Sequence, residues 1–240
     1  MSTTEVRLLR RERIAHATTA FHFSKPAGFT FKAGQAVDLI LPGANAAEGD
    51  DGRHAFSIVS APHENELVFA TRMRDSAFKN ALKDLPIGSA AQIDGPFGAL
   101  TLHRDAARPA VLIAGGIGIT PFISILRRAA SEEPQRRITL LYANRRPQDS
   151  AFLAELQRLA QENSGLRLVA TMTAMRDSGA AWPGETRPID QALVSEIGAA
   201  LGSPVYYLAG PPGMVRGLQA TLAAAGIDDE DVRVEEFYGY

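Results

Sequence analysis

The run Gly115–Gly116–Ile117–Gly118–Ile119–Thr120–Pro121 stands between a continuous apolar segment and an amphipathic one. Glycines at such a junction let the backbone approach a pyrophosphate, and the unbonded N–H groups of a helix start attract negative charge. Pro121 suits the first helical turn, where its missing N–H costs nothing. A turn that binds nothing would use the same residues, but the strand before it and the helix after it favour a nucleotide. A second turn, Gly210–Pro211–Pro212–Gly213–Met214, follows the apolar run Tyr206 to Ala209. In open parallel sheets ligands bind at the carboxyl ends of strands, so two such turns can border one crevice. Taken alone, the second turn reads as simple strand termination.

Three further segments carry suitable chemistry. Arg53–His54–Ala55–Phe56–Ser57 offers a cation, an imidazole, a flat aromatic and a hydroxyl in close succession. That set can pack on an isoalloxazine ring, hydrogen-bond its edge and neutralise a phosphate. On the residues alone, a half-buried strand with Phe56 inward is the favoured explanation. Thr71–Arg72–Met73–Arg74–Asp75–Ser76–Ala77 runs from a strand through a basic turn to a helix start, a second anion site or a solvated basic rim. The carboxyl end, Glu235–Glu236–Phe237–Tyr238–Gly239–Tyr240, holds three aromatics where frayed ends are normally polar. They must pack on the body of the protein or on a cofactor. After the second apolar run of the carboxyl half come Asn144, Arg145 and Arg146, whose guanidinium groups could pair with a 2′-phosphate or be merely solvated.

Two kinds of element must position these residues. Val6 to Ile14, Thr18 to Phe23, Ala36 to Leu41, His54 to Val59, Leu67 to Thr71 and Ala90 to Ile93 read as short strands. Pro42 to Gly52 reads as a loop and Gly95–Pro96–Phe97–Gly98 as a turn. Ser76 to Leu82 reads as a short helix with Ser76 at its N-cap. Many antiparallel strands with one helix predict a small antiparallel β-barrel over residues 1–104. From residue 109 to 240 the rhythm changes. Ala110 to Ala114 is apolar throughout, as a strand buried on both faces should be. Helices at Thr120 to Ala130, Ser150 to Gln161, Asp190 to Leu201 and Gly213 to Ala224 alternate with strands at Ile138, Leu166, Val205 and Val232. That alternation predicts an α/β domain with a parallel sheet and helices on both faces.

The chain has 240 residues, 45% hydrophobic and 22% charged, enough to bury a sizeable core, and a formal net charge of −2. The charge argues against a dedicated nucleic-acid binder. There is no cysteine, so no disulfide and no cysteine-ligated zinc or iron–sulfur cluster can form here. The amino terminus lacks a signal-peptide core, and the longest apolar stretch, Ala110 to Leu126, is broken by glycines and Pro121. The expectation is a cytoplasmic, monomeric protein without a membrane span or a metal site.

In their order along the chain, from Val6 to Tyr240, the five segments resemble the ferredoxin–NADP reductase family of flavin oxidoreductases. The resemblance implies FAD in the barrel and NADPH or NADH in the α/β domain. Hydride then passes from nicotinamide C4 to flavin N5, and electrons pass on to an acceptor such as ferredoxin or flavodoxin. His54–Ala55–Phe56–Ser57 matches the family's flavin motif, with His54 where arginine is usual and Arg53 one residue earlier. Thr71, Arg72, Met73, Ser76 and Ala77 match the segment that holds the flavin pyrophosphate. Gly115, Gly116, Gly118, Thr120 and Pro121 match the nicotinamide-side motif, with Thr120 near both rings. Gly210, Pro211, Pro212 and Met214 follow Ala209, which replaces a frequent cysteine and removes any thiol there. Phe237 is expected flat on the isoalloxazine, with Tyr240 the alternative, so Ser57, Thr120 and Phe237 would lie at the hydride-transfer zone. A basic rim of Arg72, Arg74, Lys79 and Lys83 would steer an acidic carrier. A reductase of free flavin, iron chelates or small oxidants, and a redox sensor without turnover, share these features.

Overall fold

The computed structural model describes residues 3–41 and 52–237. The expected loop at 42–51 and the residues Tyr238 and Tyr240 lie outside that set. Strands β1 (Thr4–Ala15), β2 (Thr18–Ser24), β3 (Ala36–Ile40), β4 (Arg53–Ser57), β5 (Glu66–Arg72) and β6 (Ala90–Phe97) form one antiparallel sheet in the order β4-β3-β6-β1-β2-β5. Its two edges approach each other just past β4, where Val59 N–H donates to Val68 O at 2.8 Å, giving the barrel-like unit that the strand pattern predicts. Helix α1 (Ala77–Asp84) buries Phe78 and Leu82, four residues apart on one face, against this sheet. Ser76 caps it as expected, its hydroxyl accepting from Lys79 N–H at 3.3 Å.

The second sheet is wholly parallel. Strands β7 (Ala110–Gly115), β8 (Ile138–Asn144), β9 (Leu166–Met172), β10 (Val205–Gly210) and β11 (Val232–Glu236) lie in the order β11-β10-β7-β8-β9. Helices α2 (Thr120–Glu132) and α3 (Leu153–Glu162) cover one face; α4 (Gln191–Leu201) and α5 (Pro212–Ala224) cover the other. All six residues of β7 are buried, which is why its sequence is apolar without alternation. The core under α2 is shared. Val59, Val68 and Leu100 of the barrel half pack in one cluster with Phe122, Ile125 and Leu126. Buried Ser124 fastens the junction, its hydroxyl donating to Ser60 O at 2.7 Å.

Three local expectations differ from the structure. Gly95–Phe97 is not a turn but the end of β6, held in the sheet by pairing of Phe97 with Ala36. A 3₁₀ turn, Gly116–Ile119, separates β7 from α2. Helix α3 starts at Leu153 rather than Ser150. The Ser150 hydroxyl donates back to Arg146 O at 3.1 Å instead of capping, and Phe152 takes a left-handed conformation, φ 60°, before the helix begins. Among the described residues no helix is long and apolar enough to cross a membrane.

Candidate functional site

Strand order reverses between β7 and β10, and the chains leaving these two strands diverge to opposite faces of the sheet. The crevice at such a switch point is where open α/β sheets hold ligands. Both glycine turns lie there and touch. A Cβ on Gly210, whose φ is 157°, would crowd Gly115 backbone at 3.2–3.3 Å. The glycines of the first turn do different work. A side chain on Gly118 would overlap the Ala209 carbonyl, so that glycine is required by close packing, whereas one on Gly115 would meet the end of the flexible Met214 side chain. Gly116 has a φ of 54° with open space beyond it, which is the exposed approach a ligand needs. Thr120 is buried, and its hydroxyl donates to Ile117 O at 3.0 Å. Pro121 sits in the first turn of α2, and Pro212 in that of α5, where Met214 N–H is spent on Pro211 O.

The barrel supplies the opposite wall. His54, Ala55, Phe56 and Ser57 of β4, with Thr71 of β5 and Lys79 of α1, share one narrow cleft with Ile117, Thr120 and Phe237. Phe237 reaches it because its N–H donates to Gly210 O at 3.0 Å where β11 ends. The carboxyl-terminal aromatic and the barrel strand, about 180 residues apart in sequence, are thus brought together as the resemblance implies. Phe56 is mostly buried and its ring meets Phe69 and Phe78 at 6.1 and 5.9 Å, while the His54 ring lies 4.1 Å from that of Phe78. The Ser57 hydroxyl is buried without a hydrogen-bond partner, an arrangement that costs about 1–3 kcal/mol unless a bound group completes it. A ring edge carrying nitrogen and carbonyl groups, as a flavin has, fits this requirement. Burial and neighbouring Arg74 both hold the Lys79 ammonium below its ordinary value.

Arg53 is placed differently from its neighbours. Asp38 and Asp94 face each other across β3 and β6, and the Arg53 guanidinium bonds both at 2.9 Å. It bridges two carboxylates of the sheet, and His54 is the basic residue of the pair that lines the cleft.

A second, basic cleft of about 370 Å³ opens beside the end of β8. Arg72, Met73 and Arg74 line its barrel side; Arg145, Arg146 and Asp149 line the other. Asp149 holds Arg146 in a bidentate pair at 2.8 and 2.9 Å, and that arginine keeps the Asp149 carboxyl below its usual range. Arg145 is exposed at the mouth. Asn144 is buried at the end of β8. Ser76 and Ala77 are exposed at the start of α1.

Sequence reasoning passed over Glu235. It pairs with Ala209 and shares a strand face with Arg233 and Phe237, two residues either side. Burial pushes its carboxyl up to about 7, with no compensating cation among the described residues. The two-residue spacing to Phe237 was the available signal.

Residues 112–220 match the model of the oxidoreductase NAD-binding domain. Ferredoxin–NADP reductase B of Sorangium cellulosum is 29% identical over 245 residues, covering 97% of both chains. The reductase component of propane 2-monooxygenase from Mycolicibacterium smegmatis is 28% identical over 89% of this chain and 61% of its own. The phenol 2-monooxygenase reductase component of Pseudomonas is 28% identical over 87% and 58%. The chain therefore spans about three-fifths of the length of these oxygenase reductases. A ferredoxin–NADP+ reductase from Neisseria gonorrhoeae, solved with bound FAD and NADP, superposes over 98% of both chains with a TM-score of 0.79 at 24% identity.

Proposed function

We propose that this chain, whose residues 112–220 match the oxidoreductase NAD-binding domain and which is 29% identical to a ferredoxin–NADP reductase over 97% of both chains, is an NAD(P)H-dependent flavin reductase of that kind that serves a separate one-electron carrier. Residues 1–104 form the flavin unit and 109–240 the nucleotide unit. The single observation that carries this reading is the shared cleft, where a barrel strand, the glycine turn after β7 and the aromatic after β11 meet around an unsatisfied Ser57 hydroxyl. FAD, when bound, would supply the chemistry that accepts one hydride, carrying two electrons, from a nicotinamide and releases those electrons singly.

The chain's own residues do the binding and the aligning. Ser57 donates its hydroxyl to the polar edge of the ring. His54 and Lys79 lie where phosphate charge would be met, and Arg72 with Ser76 continues that path. Thr120 and Gly116 border the crevice in which the nicotinamide is received. Phe237 covers the ring and keeps water off it until the nicotinamide takes its place. Arg145 meets a 2′-phosphate, which makes NADPH the preferred donor over NADH. The acceptor is a ferredoxin or flavodoxin, the kind of one-electron carrier that a flavin releasing its electrons singly can serve.

The binding roles are tested by titrating FAD into stripped protein. His54→Ala and Ser57→Ala should each weaken FAD about fivefold to a hundredfold, the range expected from losing one hydrogen bond, neutral or charge-assisted. Full flavin content and unchanged affinity in both variants would overturn the assignment.

A further inference from the structure

A cavity of about 550 Å³ lies at the seam of the two halves, apart from both clefts described above. Its walls are the barrel turn at Lys32, the connecting segment at Arg104, the middle of α2 and the early part of β11 at Arg233. Its floor includes Ala33, Ile125 and Ala129, all buried. The volume is within the ~300–1,000 Å³ common for small-molecule sites, and seams between domains are where such sites concentrate.

The charge on its rim is unbalanced. Arg128 bonds Glu132 at 2.7 Å and Glu133 at 3.0 Å, and Arg136 bonds Glu133 at 2.8 Å, so that side is neutral. Lys32, Arg104 and Arg233 form no ion pair among the described residues. Arg233 is also fixed in place. One of its terminal nitrogens donates to Thr101 O at 2.7 Å, and its guanidinium lies over the Tyr207 ring at 5.4 Å. A guanidinium has five N–H donors, so four remain available from a pre-set position. Solvated surface cations are ordinarily mobile and spread apart; here one is immobilised and two more share its cavity above an apolar floor.

We propose that this seam cavity binds a small polyanion, of the phosphate-ester or diphosphate class, with Arg233 as the fixed anchor and Lys32 and Arg104 closing on it. The ligand's charge meets the three cations and its compact apolar part lies on Ala33 and Ile125. Because Lys32 belongs to the barrel half and Arg233 to the sheet half, an occupant bridges the two. The inference does not depend on the flavin reading, since none of these residues lines the flavin cleft.

The test is calorimetric titration of inorganic pyrophosphate into the full chain, with sodium chloride of matched ionic strength as the control. Lys32 and Arg104 are exposed, so Lys32→Glu/Arg104→Glu should fold normally, as circular dichroism would verify. Pyrophosphate should bind the parent protein and bind this variant at least about tenfold more weakly. Arg72→Ala/Arg145→Ala, which alters the basic cleft at the end of β8, should retain the seam site. Binding that matches the chloride control, that survives unchanged in the Lys32/Arg104 variant, or that vanishes only in the Arg72/Arg145 variant would overturn the proposal.

Discussion

Glu235 shows how a strand position becomes a chemical property. It shares its strand face with Arg233 and Phe237, where burial favours the neutral acid. A carboxyl whose folded value is about 7 against an ordinary 4.5 binds its proton more tightly in the native state. Its contribution to stability is therefore complete below about pH 4.5 and is lost as pH rises through about 7. Glu235→Gln removes that dependence. At about pH 8 the variant should be more stable to urea than the parent, by up to about 3 kcal/mol, and the gap should close below about pH 5. Equal stability of the two proteins across that range would show that the carboxyl is not desolvated. Arg145 and Arg146 illustrate the same scale from the opposite side. Arg146 already serves Asp149 through two bonds, whereas Arg145 is exposed at the cleft. Arg145→Ala should lower the ratio of kcat/KM for NADPH to that for NADH about tenfold, and Arg146→Ala should lower it less. An unchanged ratio in Arg145→Ala would remove the 2′-phosphate role. The sequence offers both arginines equally; only the bidentate contact with Asp149 separates them. Arg53 was likewise unreadable, because its two aspartates come from strands paired far along the chain.

At the scale of elements, the strands and helices were legible wherever burial imposed a period. The all-buried β7 reads as an unbroken apolar run, and α1 shows its cap and its Phe78–Leu82 stripe directly. The misreadings fall where local bonding overrides the residue types that mark a turn or a helix start. The helix expected from Ser150 begins three residues later, because the Ser150 hydroxyl donates to Arg146 O and Phe152 is left-handed. Gly95–Pro96 looks like a turn, yet the pairing of Phe97 with Ala36 keeps the strand going. Strand β11 was legible as a strand, but its function lies in what it delivers. Pairing with β10 carries Phe237 to Gly210 and into the cleft lined by His54 and Ser57. Deleting residues 237–240 should leave flavin bound, alter its visible spectrum and tighten nicotinamide binding about fivefold, the equivalent of about 1 kcal/mol of aromatic stacking. A truncated protein with the parent's spectrum and KM would place the gate elsewhere.

The whole molecule works by holding two sheets at a fixed relation across a shared core. Beyond the Ser124–Ser60 bond, Arg127 of α2 bonds Glu64 of the barrel half at 3.2 Å and Glu155 of α3 at 2.6 Å. His16 N–H donates to Gln148 O at 2.8 Å on the other side of the seam. These contacts align β4 against the turn after β7, the relation on which ring-to-ring transfer depends. The order of five modest motifs foretold that two such units exist, while the pairing of distant walls into one cleft required the fold. The central claim is that this cleft carries electrons from a nicotinamide through a flavin. Its most direct test is anaerobic stopped-flow mixing of the FAD-loaded protein with NADPH, followed by addition of oxidised ferredoxin or flavodoxin. The account predicts that the yellow colour bleaches within the catalytic time scale and returns when the carrier is added, with the carrier reduced in a ratio of about two per nicotinamide. A flavin that stays oxidised in the presence of excess NADPH and NADH would contradict it.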